Sequence, residues 1–231
     1  LESGSISADA HTATTAGYPA GTKRVLKKGT LTTGGTISVS EAAAEDLSVD
    51  AAGDVYLGTL DATKANIETD RTFTAAKITG DAMTATAGEA ITISTLTAKD
   101  ATLTSTGGGI NLGTVSGLGI LTARAAATLD VDAVSYGRAD VTASSLRFGA
   151  LAAGDLTANI SGDVTGTKLA LWTGNFAIDG SMSVAETTAS GLTIDATGDV
   201  ALTALSTAAA TVRTGGTFAS TLAGGYNFTV T

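Results

Sequence analysis

Single aspartates that directly follow glycines are the residues of this 231-residue chain whose types and spacing most suggest chemistry. Carboxylates on glycine-rich turns can bind calcium, but the Gly-Gly-x-Gly-x-Asp run of calcium β-rolls is missing here. A turn offers a simpler role, because an aspartate in a turn accepts hydrogen bonds from nearby backbone N–H groups. We therefore expect the following side chains to form turns and not metal sites: Asp54, Asp81, Asp155, Asp163 and Asp199.

A closer pair of carboxylates, Asp130 and Asp132, flanks Val131. Residues two apart in a strand point to the same side, so both carboxylates should face outward together. Such a pair is a candidate for hydrolysis or for calcium binding. A solvated face has the same pattern, and that is the interpretation we favour.

Nucleophilic catalysis and zinc binding have few residues to use in this chain. There is one histidine, His11, and no cysteine, so Ser–His and Cys–His arrangements are nearly excluded. A zinc site lacks its usual ligands for the same reason. The sequence thus predicts no catalytic residue, no metal ligand and no cofactor-binding residue.

The overall charge and hydropathy exclude further classes of partner. The formal net charge is −9, whereas nucleic-acid binding needs a basic face, so we expect no nucleic-acid partner. No apolar run approaches the ~18 residues of a membrane span. The chain starts at Leu1 without a methionine or a signal-peptide pattern, which suggests a mature form or an excised piece of something longer.

Short repeated strands are the elements that must position all these residues. In the segment 47–67, apolar residues come in pairs two apart, a pattern typical of strands with one buried face. Segments 83–103 and 192–212 place their apolar residues at nearly the same positions. Such a unit cannot bury its apolar face alone, but stacked copies can. The tripeptide Gly-Asp-Val marks several of the turns: 53–55, 162–164 and 198–200.

We therefore predict an all-β fold, a parallel β-helix (β-solenoid) of roughly ten coils with about 20 residues per coil. Residues 31–231 form the β-helix, and residues 1–30 form an irregular lead-in or an N-terminal cap. Segment 41–47 stays open between one helical turn and a longer loop. The corner glycines are expected to adopt positive φ. These side chains should point inward: Leu47, Val49, Val55, Leu57, Ile91, Ile93, Leu103, Leu192, Ile194, Val200 and Leu202.

The apolar residue that opens each coil recurs at uneven intervals of 20, 16, 20, 18 and 20 residues. We interpret the short interval before Met83 as a tightened corner. Between Val141 and Leu192 the pattern blurs, which indicates a changed coil length or a protruding loop, and Trp172 and Phe176 make this stretch the densest in aromatic residues. The opening positions are Leu47, Ile67, Met83, Leu103, Leu121 and Val141.

A basic cluster lies in the lead-in and consists of Lys23, Arg24, Lys27 and Lys28. The ends of a solenoid need a polar cover, so we interpret this cluster as part of a cap. Docking of a partner or of an acidic polymer is the alternative.

Threonines follow several of the opening positions: Thr84, Thr104, Thr122 and Thr142. On this register they should stack outward as a ladder, which would suit an ice-binding face. Glu68 and Arg213 occupy the same position in other coils and interrupt the ladder. Because threonine is also a common strand residue, we expect no special role.

The repeat unit, apolar-Thr-apolar-x-Ala-x-Gly-Asp-apolar-x-apolar-Gly-x-Leu-x-Ala, resembles the repeats of filamentous-haemagglutinin-like exoproteins over about residues 31–231. These are large bacterial adhesins exported by two-partner secretion or similar routes. The resemblance implies a right-handed parallel β-helix that is secreted and displayed on the bacterial cell surface. The Asn-Pro-Asn motifs of the family's secretion domain are missing, since the only proline is Pro19, so the match implies repeat shaft and not export module.

The function expected from this resemblance is a non-enzymatic structural or adhesive shaft segment, with a host or bacterial surface receptor or a carbohydrate as partner. A self-assembling surface or cytoskeletal filament subunit is one alternative. An ice-binding protein or a polysaccharide-degrading β-helix enzyme is another. Such enzymes use charged groups in a groove with aromatic platforms, and one tryptophan with scattered charges does not match them, so we expect no enzyme.

The C-terminal end of the repeat carries no charged residue after Arg213, while apolar residues alternate to the end of the chain. Uncovered strand edges pair with other chains. We therefore expect end-to-end self-association through this edge or its continuation by further coils. The alternative is that the Gly224-Gly225 turn folds the last strand back as a hairpin cap.

Overall fold

The computed structural model describes the backbone of residues 11–14, 20–21, 24–224 and 227–231, and side chains of residues 28–221 and 227–231. Within these residues every regular element is a β-strand, and the strands pair in parallel as a solenoid of about 11 turns. The predicted all-β parallel β-helix of roughly ten coils is confirmed. Since the described elements include no helix, none is a long apolar helix of the kind that crosses membranes.

The described part of the chain contains 16 strands, and most coils consist of one long strand followed by a turn. The bounds are β1 His11–Thr14, β2 Ala20–Gly21, β3 Arg24–Thr33, β4 Ile37–Ala51, β5 Val55–Thr69, β6 Phe73–Ala87, β7 Ile91–Ser105, β8 Ile110–Ser116, β9 Ile120–Ala125, β10 Thr128–Ala143, β11 Ser145–Ile160, β12 Val164–Ile178, β13 Met182–Ala196, β14 Val200–Thr214, β15 Phe218–Gly224 and β16 Asn227–Val230.

Successive coils lie in an almost constant register. Ile37 pairs with Val55, Val55 with Phe73 and Phe73 with Ile91, so partners in these coils are 18 residues apart. Each long strand is hydrogen-bonded to the coil before it and the coil after it. The backbone donors and acceptors of an internal coil are therefore satisfied by its two neighbours and by no distant part of the chain.

Each coil bends around the core as three faces. In β5 the alternation of buried and exposed residues slips between Leu57 and Leu60, and again between Ala62 and Ala65, where two successive side chains point outward. The turn at 70–72 supplies the third corner. We call 55–57, 60–62 and 65–69, with their partners in other coils, the first, second and third faces. All three bury their inward side chains in one apolar cluster that includes every predicted core residue.

Large and small side chains alternate between the two inward rows of the third face. Ala65 lies beside Ile67 in one coil, and their partners in the next coil are Met83 and Ala85. A large side chain in one coil thus packs over a small one in the next, which fills the interior without crowding it. The same exchange continues along the axis: Ala101 with Leu103, Leu121 with Ala123, Ala139 with Val141, Leu156 with Ala158, and Gly174 with Phe176.

This alternation explains why the coil intervals predicted from the sequence were uneven. The sequence pattern selects the larger residue of each coil. In successive coils this residue lies in one inward row and then in the other, two positions apart along the strand. Ile67 and Met83 are therefore not equivalent, because the true partner of Met83 is Ala65. The predicted tightened corner before Met83 is wrong, and that coil has the ordinary 18-residue offset.

Real changes in coil length lie in the middle of the solenoid. Ile110 follows its partner Ile91 by 19 residues, and Leu121 follows Ala101 by 20. The coil from Leu129 to Leu146 has only 17. The blurred pattern after Val141 thus reflects a changed coil length, as one of the two interpretations held, and β11, β12 and β13 continue through the region in unbroken register.

The segment 41–47 is neither a helical turn nor a loop, because β4 runs through it from Ile37 to Ala51. Alanine and glutamate favour helix locally, but the ladder to β5 determines the conformation. Parallel pairing also reaches residues before 31. β3 pairs with β4, and His11–Thr14 pairs with residues 29–32 of β3. Residues 1–10 lie outside the described part of the chain.

At the C-terminal end the solenoid continues in parallel. β15 and β16 both pair with β14, so the last described strand does not fold back and the hairpin interpretation is wrong. The half-buried rings of Phe218 and Phe228 lie 5.3 Å apart between centroids over the core. Among the described strands none covers the far side of β15 and β16.

Two buried hydroxyls, those of Thr187 and Ser220, have no hydrogen-bond partner among the described residues, and the first provides a test of the packing. Thr187 Oγ1 is buried without a hydrogen bond, whereas the buried Thr207 donates to the carbonyl of Ala209 at 2.8 Å. We expect Thr187→Val to raise the free energy of unfolding by about 1 kcal/mol, because it removes an unsatisfied polar group. The matched Thr207→Val should lower it by about 1 kcal/mol. Denaturant unfolding of both variants checks this, and a loss of stability in Thr187→Val would contradict the assigned environment.

Candidate functional site

The aspartates of the Gly-Asp turns bond to the next coil. The N–H and hydroxyl of Thr72 donate to Asp54 Oδ1 at 3.2 and 2.7 Å, and those of Thr217 donate to Asp199 Oδ1 at 2.6 and 2.9 Å. The N–H of Ser181 donates to Asp163 at 2.8 Å. The expectation of a turn role is confirmed for these three aspartates but is wrong for Asp81 and Asp155, which lie within the strands β6 and β11. The donors, however, are 18 residues away in the following coil and not in the same turn.

These hydrogen bonds favour the ionised carboxylates. The Thr72 hydroxyl lowers the pKa of Asp54 against the opposing effect of burial, and the Thr217 backbone N–H does the same for the pKa of Asp199. A pKa that is lower in the folded state stabilises the fold above the unfolded-state pKa and stops doing so as pH falls through the folded-state pKa. The carboxylates of Asp54 and Asp199 therefore hold coils together at neutral pH.

The corner glycines have a different cause from the expected one. None of the glycines between 34 and 216 has a φ in the left-handed region. Most of them are required because adjacent coils approach closely: a Cβ on Gly53 would lie 2.7 Å from the carbonyl carbon of Gly35, whereas Gly34 has open space at that position. Glycine is used here for its missing side chain and not for its backbone freedom.

Hydroxyl residues at the end of the third face form a second set of corner bonds that the sequence patterns did not reveal. Thr69 and Ser105 donate to turn carbonyls of the preceding coil, those of Gly53 and Glu89, and Thr214 does so to Gly198 at 2.5 Å. Each hydroxyl also accepts a backbone N–H from its own turn. A Thr or Ser that alternates with Ala at this inward position, as at 33, 51, 69, 87 and 105, is the signal that could have found them.

The remaining candidate carboxylates do not converge. Asp130 and Asp132 are both exposed on the outside of β10, as predicted. Asp81 is exposed on β6, and Asp155 accepts a hydrogen bond from Thr173 of the next coil. Among the described residues no three acidic or histidine side chains gather as a metal site would require. The side chain of His11 lies outside the described residues.

The threonine ladder is divided between two outward rows of the third face. Thr84, Thr102 and Thr122 lie in one row, whereas Thr104 lies in the other with Thr86 and Arg124. Thr142 follows Arg124 in that second row. The predicted single ladder of Thr84, Thr104, Thr122 and Thr142 is therefore wrong, because those positions followed the alternating core residues. A compact patch of five threonines remains, bounded by Glu68, Arg124 and Asp140.

Of the basic cluster, only Lys28 has a described side chain, and its Nζ lies 3.7 Å from Asp46 on the next coil. Arg24 and Lys27 are part of β3, while Lys23 lies outside the described residues. The ion pair is exposed, so it contributes little to stability. The pair places the ammonium group of Lys28 on β3 next to the carboxylate of Asp46 on β4.

The aromatic stretch separates into a core residue and a surface residue. Phe176 is fully buried, whereas Trp172 is 70% exposed at the corner between the second and third faces. Leu118, 94% exposed, lies at the same corner where the chain carries an extra residue. Because β10 and β11 lie between them, these two side chains do not form one continuous apolar patch.

A shallow groove runs along the third face, and we call it the C-terminal groove. One of its lining residues, Thr173, directly follows Trp172 in the chain. Leu156, Gly174, Leu192 and Ala210 lie beneath it at inward, buried positions, so only their backbone borders the groove. Its polar lining consists of Asp155, Thr157, Thr173, Asn175, Thr193, Thr211, Asn227 and Thr229. The geometry offers hydroxyl and amide groups with a single carboxylate and is suited to hydrogen bonding.

Among the described side chains one ionisable group is buried, that of Tyr136. The Tyr136 hydroxyl donates to the carbonyl of Ala98 at 2.9 Å, and its ring covers Gly117, where a Cβ would lie 2.5 Å from the ring. Burial raises the pKa of Tyr136 to about 12, and the negative charge of Asp100 adds to the effect. Tyr136 is thus a packing residue that fills the space left by the glycine.

Comparison with protein-family models, with curated proteins and with solved structures finds no significant match to this chain.

The raised pKa of Tyr136 predicts a loss of stability in alkali. A folded-state pKa of about 12, above the ordinary value, means that the folded chain retains this proton as the unfolded chain loses it. The stabilisation is complete below about pH 10 and is lost as the pH rises towards the folded-state pKa. Tyr136→Phe should remove this component of the pH dependence and cost about 1 kcal/mol at neutral pH.

Denaturant unfolding over this pH range compares the variant with the parent chain. Tyr56→Phe is the control, since Tyr56 is 43% exposed and should leave the pH dependence unchanged. Equal alkaline slopes for Tyr136→Phe and the parent chain would contradict the prediction.

Proposed function

We propose that this chain is a non-enzymatic structural or adhesive shaft segment of a large secreted or cell-surface bacterial protein. The observation that carries the proposal is the use of the corner carboxylates: Asp54, Asp163 and Asp199 each bond to the next coil. These groups repeat with the coils and serve stacking. That is the property a rod requires, because its length then depends only on the number of coils.

The extracellular setting rests on the resemblance to filamentous-haemagglutinin-like repeats, and the observed register supports the comparison at the level of a stacked repeat. Coils that contact only their neighbours extend to any length without a new core. In this role the chain separates a binding region from the cell envelope. A host or bacterial surface receptor or a carbohydrate is the expected partner.

Self-assembly is the second candidate function, and the C-terminal coil favours it. The half-buried rings of Phe218 and Phe228 and the uncovered side of β15 and β16 offer an edge to another strand. A second copy of this chain or a further coil fits there with the parallel register that all described coils use. End-to-end association of this kind would make the shaft a filament.

Removal of one whole coil tests the shaft role. Deletion of residues 183–200 joins Met182 to Ala201 in register, because Met182 and Val200 are partners. We expect the shortened chain to fold, with a rod about 4.8 Å shorter by small-angle scattering. Deletion of residues 183–191 is the control, since an odd number of residues places apolar side chains outside and should prevent folding.

Two assays complete this test. Antibodies against the chain should label intact producing cells, and the chain should release no products from a panel of polysaccharides. Loss of folding after the in-register deletion, or turnover of a polysaccharide, would contradict the shaft role. Labelling only after the cells are broken would contradict the surface location.

The assembly candidate predicts that charge at the C-terminal edge prevents association. The parent chain should show a concentration-dependent rise in mass by light scattering. The double variant Phe228→Lys with Val230→Lys should remain a monomer, because charged side chains disfavour strand addition at an edge. Thr84→Lys with Thr86→Lys, on a lateral face, is the control. A parent chain that stays monomeric at high concentration would exclude this candidate.

A further inference from the structure

We propose that the C-terminal groove, with Trp172 at its edge, binds a linear neutral oligosaccharide. This inference assigns a ligand class to the adhesive role and rests on that proposed function for its biological setting. It depends on three features of the described surface: an open indole, a row of hydroxyl and amide groups, and a nearly uncharged lining.

The indole of Trp172 is open because its neighbours are small. Leu171 and Thr173 pair with Ala153 and Asp155 of the preceding coil, which places Gly154 beside Trp172. By the same register Ser190 of the following coil lies on its other side. Neither neighbour can cover a ring of this size, and the side chain is 70% exposed. An uncovered indole offers a flat apolar surface with a negative face.

The groove beside this ring presents one polar group in every coil. Thr157, Asn175, Thr193, Thr211 and Thr229 are successive partners in a single outward row. Parallel strands place such groups about 4.8 Å apart along the axis. A linear chain of sugar rings laid along this row would meet a donor or acceptor at each coil.

The small number of charged groups in the groove and the negative net charge of the chain favour a neutral ligand. Asp155 is the one ionisable residue in the lining, and it already accepts a hydrogen bond from the Thr173 hydroxyl. The whole chain carries a formal charge of −9, which disfavours acidic glycans. A pyranose ring combines a C–H face that can stack on an indole with hydroxyl groups that hydrogen-bond to Thr and Asn side chains.

The other end of the same face does not share these features. There the groove is lined by Lys28, Asp46 and Lys64, and Lys28 and Asp46 form an ion pair. Neither groove has an aromatic lining residue, and the difference lies at the corner. Trp172 directly precedes the lining residue Thr173, whereas Glu45 and Thr63 precede the lining residues Asp46 and Lys64 of the other groove. The chain therefore contains its own control surface, in which Asn66 occupies the row position that Asn175 occupies in the C-terminal groove.

Fluorescence of the intact chain tests the proposal directly, because Trp172 is the only tryptophan. Neutral hexasaccharides of glucose, xylose, mannose and N-acetylglucosamine are titrated at up to millimolar concentrations, with an oligogalacturonate as the acidic comparison. We expect at least one neutral series to shift the emission to shorter wavelength and to saturate. The acidic series should not do so.

Isothermal calorimetry with the responding sugar then separates the contributions of individual side chains. Trp172→Ala should weaken binding by about tenfold or more, since aromatic anchors dominate such sites. Trp172→Phe should restore part of the affinity. Asn175→Ala should weaken binding, whereas Asn66→Ala and Tyr56→Ala should leave it unchanged. Far-UV circular dichroism confirms that each variant keeps its strands.

The outcomes separate this site from the shaft role. No saturable response to any neutral sugar would overturn the site, while the coil-deletion result would still decide the shaft. Equal losses in Asn66→Ala and Asn175→Ala would overturn the assigned location. Self-association of the parent chain that Trp172→Ala abolishes, without sugar binding, would make the corner an interface between copies and also overturn the proposal. Binding with cleavage would retain the site and refute the non-enzymatic function.

Discussion

The parallel register between successive coils is the constraint on which the structure depends. An internal coil pairs only with its two neighbours. The side chain of residue i must therefore point the same way as those of residues i − 18 and i + 18, lie on the same face, and complement them in size. This requirement explains the glycines at corners, where the carbonyl of one coil leaves no room for a side chain in the next. It also explains the aspartates and hydroxyls there, which satisfy donors and acceptors between coils. Loss of one such contact affects two coils and leaves the others in place.

Volume in the interior follows the same constraint. The third face places two inward rows side by side, and a large residue in one coil is paired with a small one in the next. Tyr136 and Gly117 extend the principle to the second face, where the ring occupies the space above a residue without a side chain. A core made in this way tolerates large changes in coil length, from 17 to 20 residues, since the extra residues enter at corners and the inward rows continue.

This packing also determines what the sequence could reveal. Strand identity, stacking and the inward residues follow from apolar pairs two apart, and each predicted core side chain is buried. The register does not follow from these pairs. Leu47, Ile67 and Met83 have equivalent positions in the sequence pattern, but in the structure they alternate between two inward rows. The misplaced threonine ladder is a direct result. Segment 41–47 was ambiguous because its alanines and glutamates favour a helix, and only pairing with the next coil overrides that preference. The exposure of Trp172 depends on Gly154 and Ser190, which are its neighbours only once the register is known.

Function on such a rod should be sought where the periodic surface is interrupted. Most outward rows of this chain carry Thr, Ser, Asn or Asp in many coils, and a repeated polar residue serves strand formation and solvation equally well. Trp172 and Leu118 depart from that pattern, and both lie at one corner, Leu118 beside an inserted residue and Trp172 between small neighbours. Neither side chain contributes to the core, so stacking alone gives no reason for its size. An exposed tryptophan that the fold does not need, one residue before the groove residue Thr173, is therefore the position from which we propose recognition on this surface.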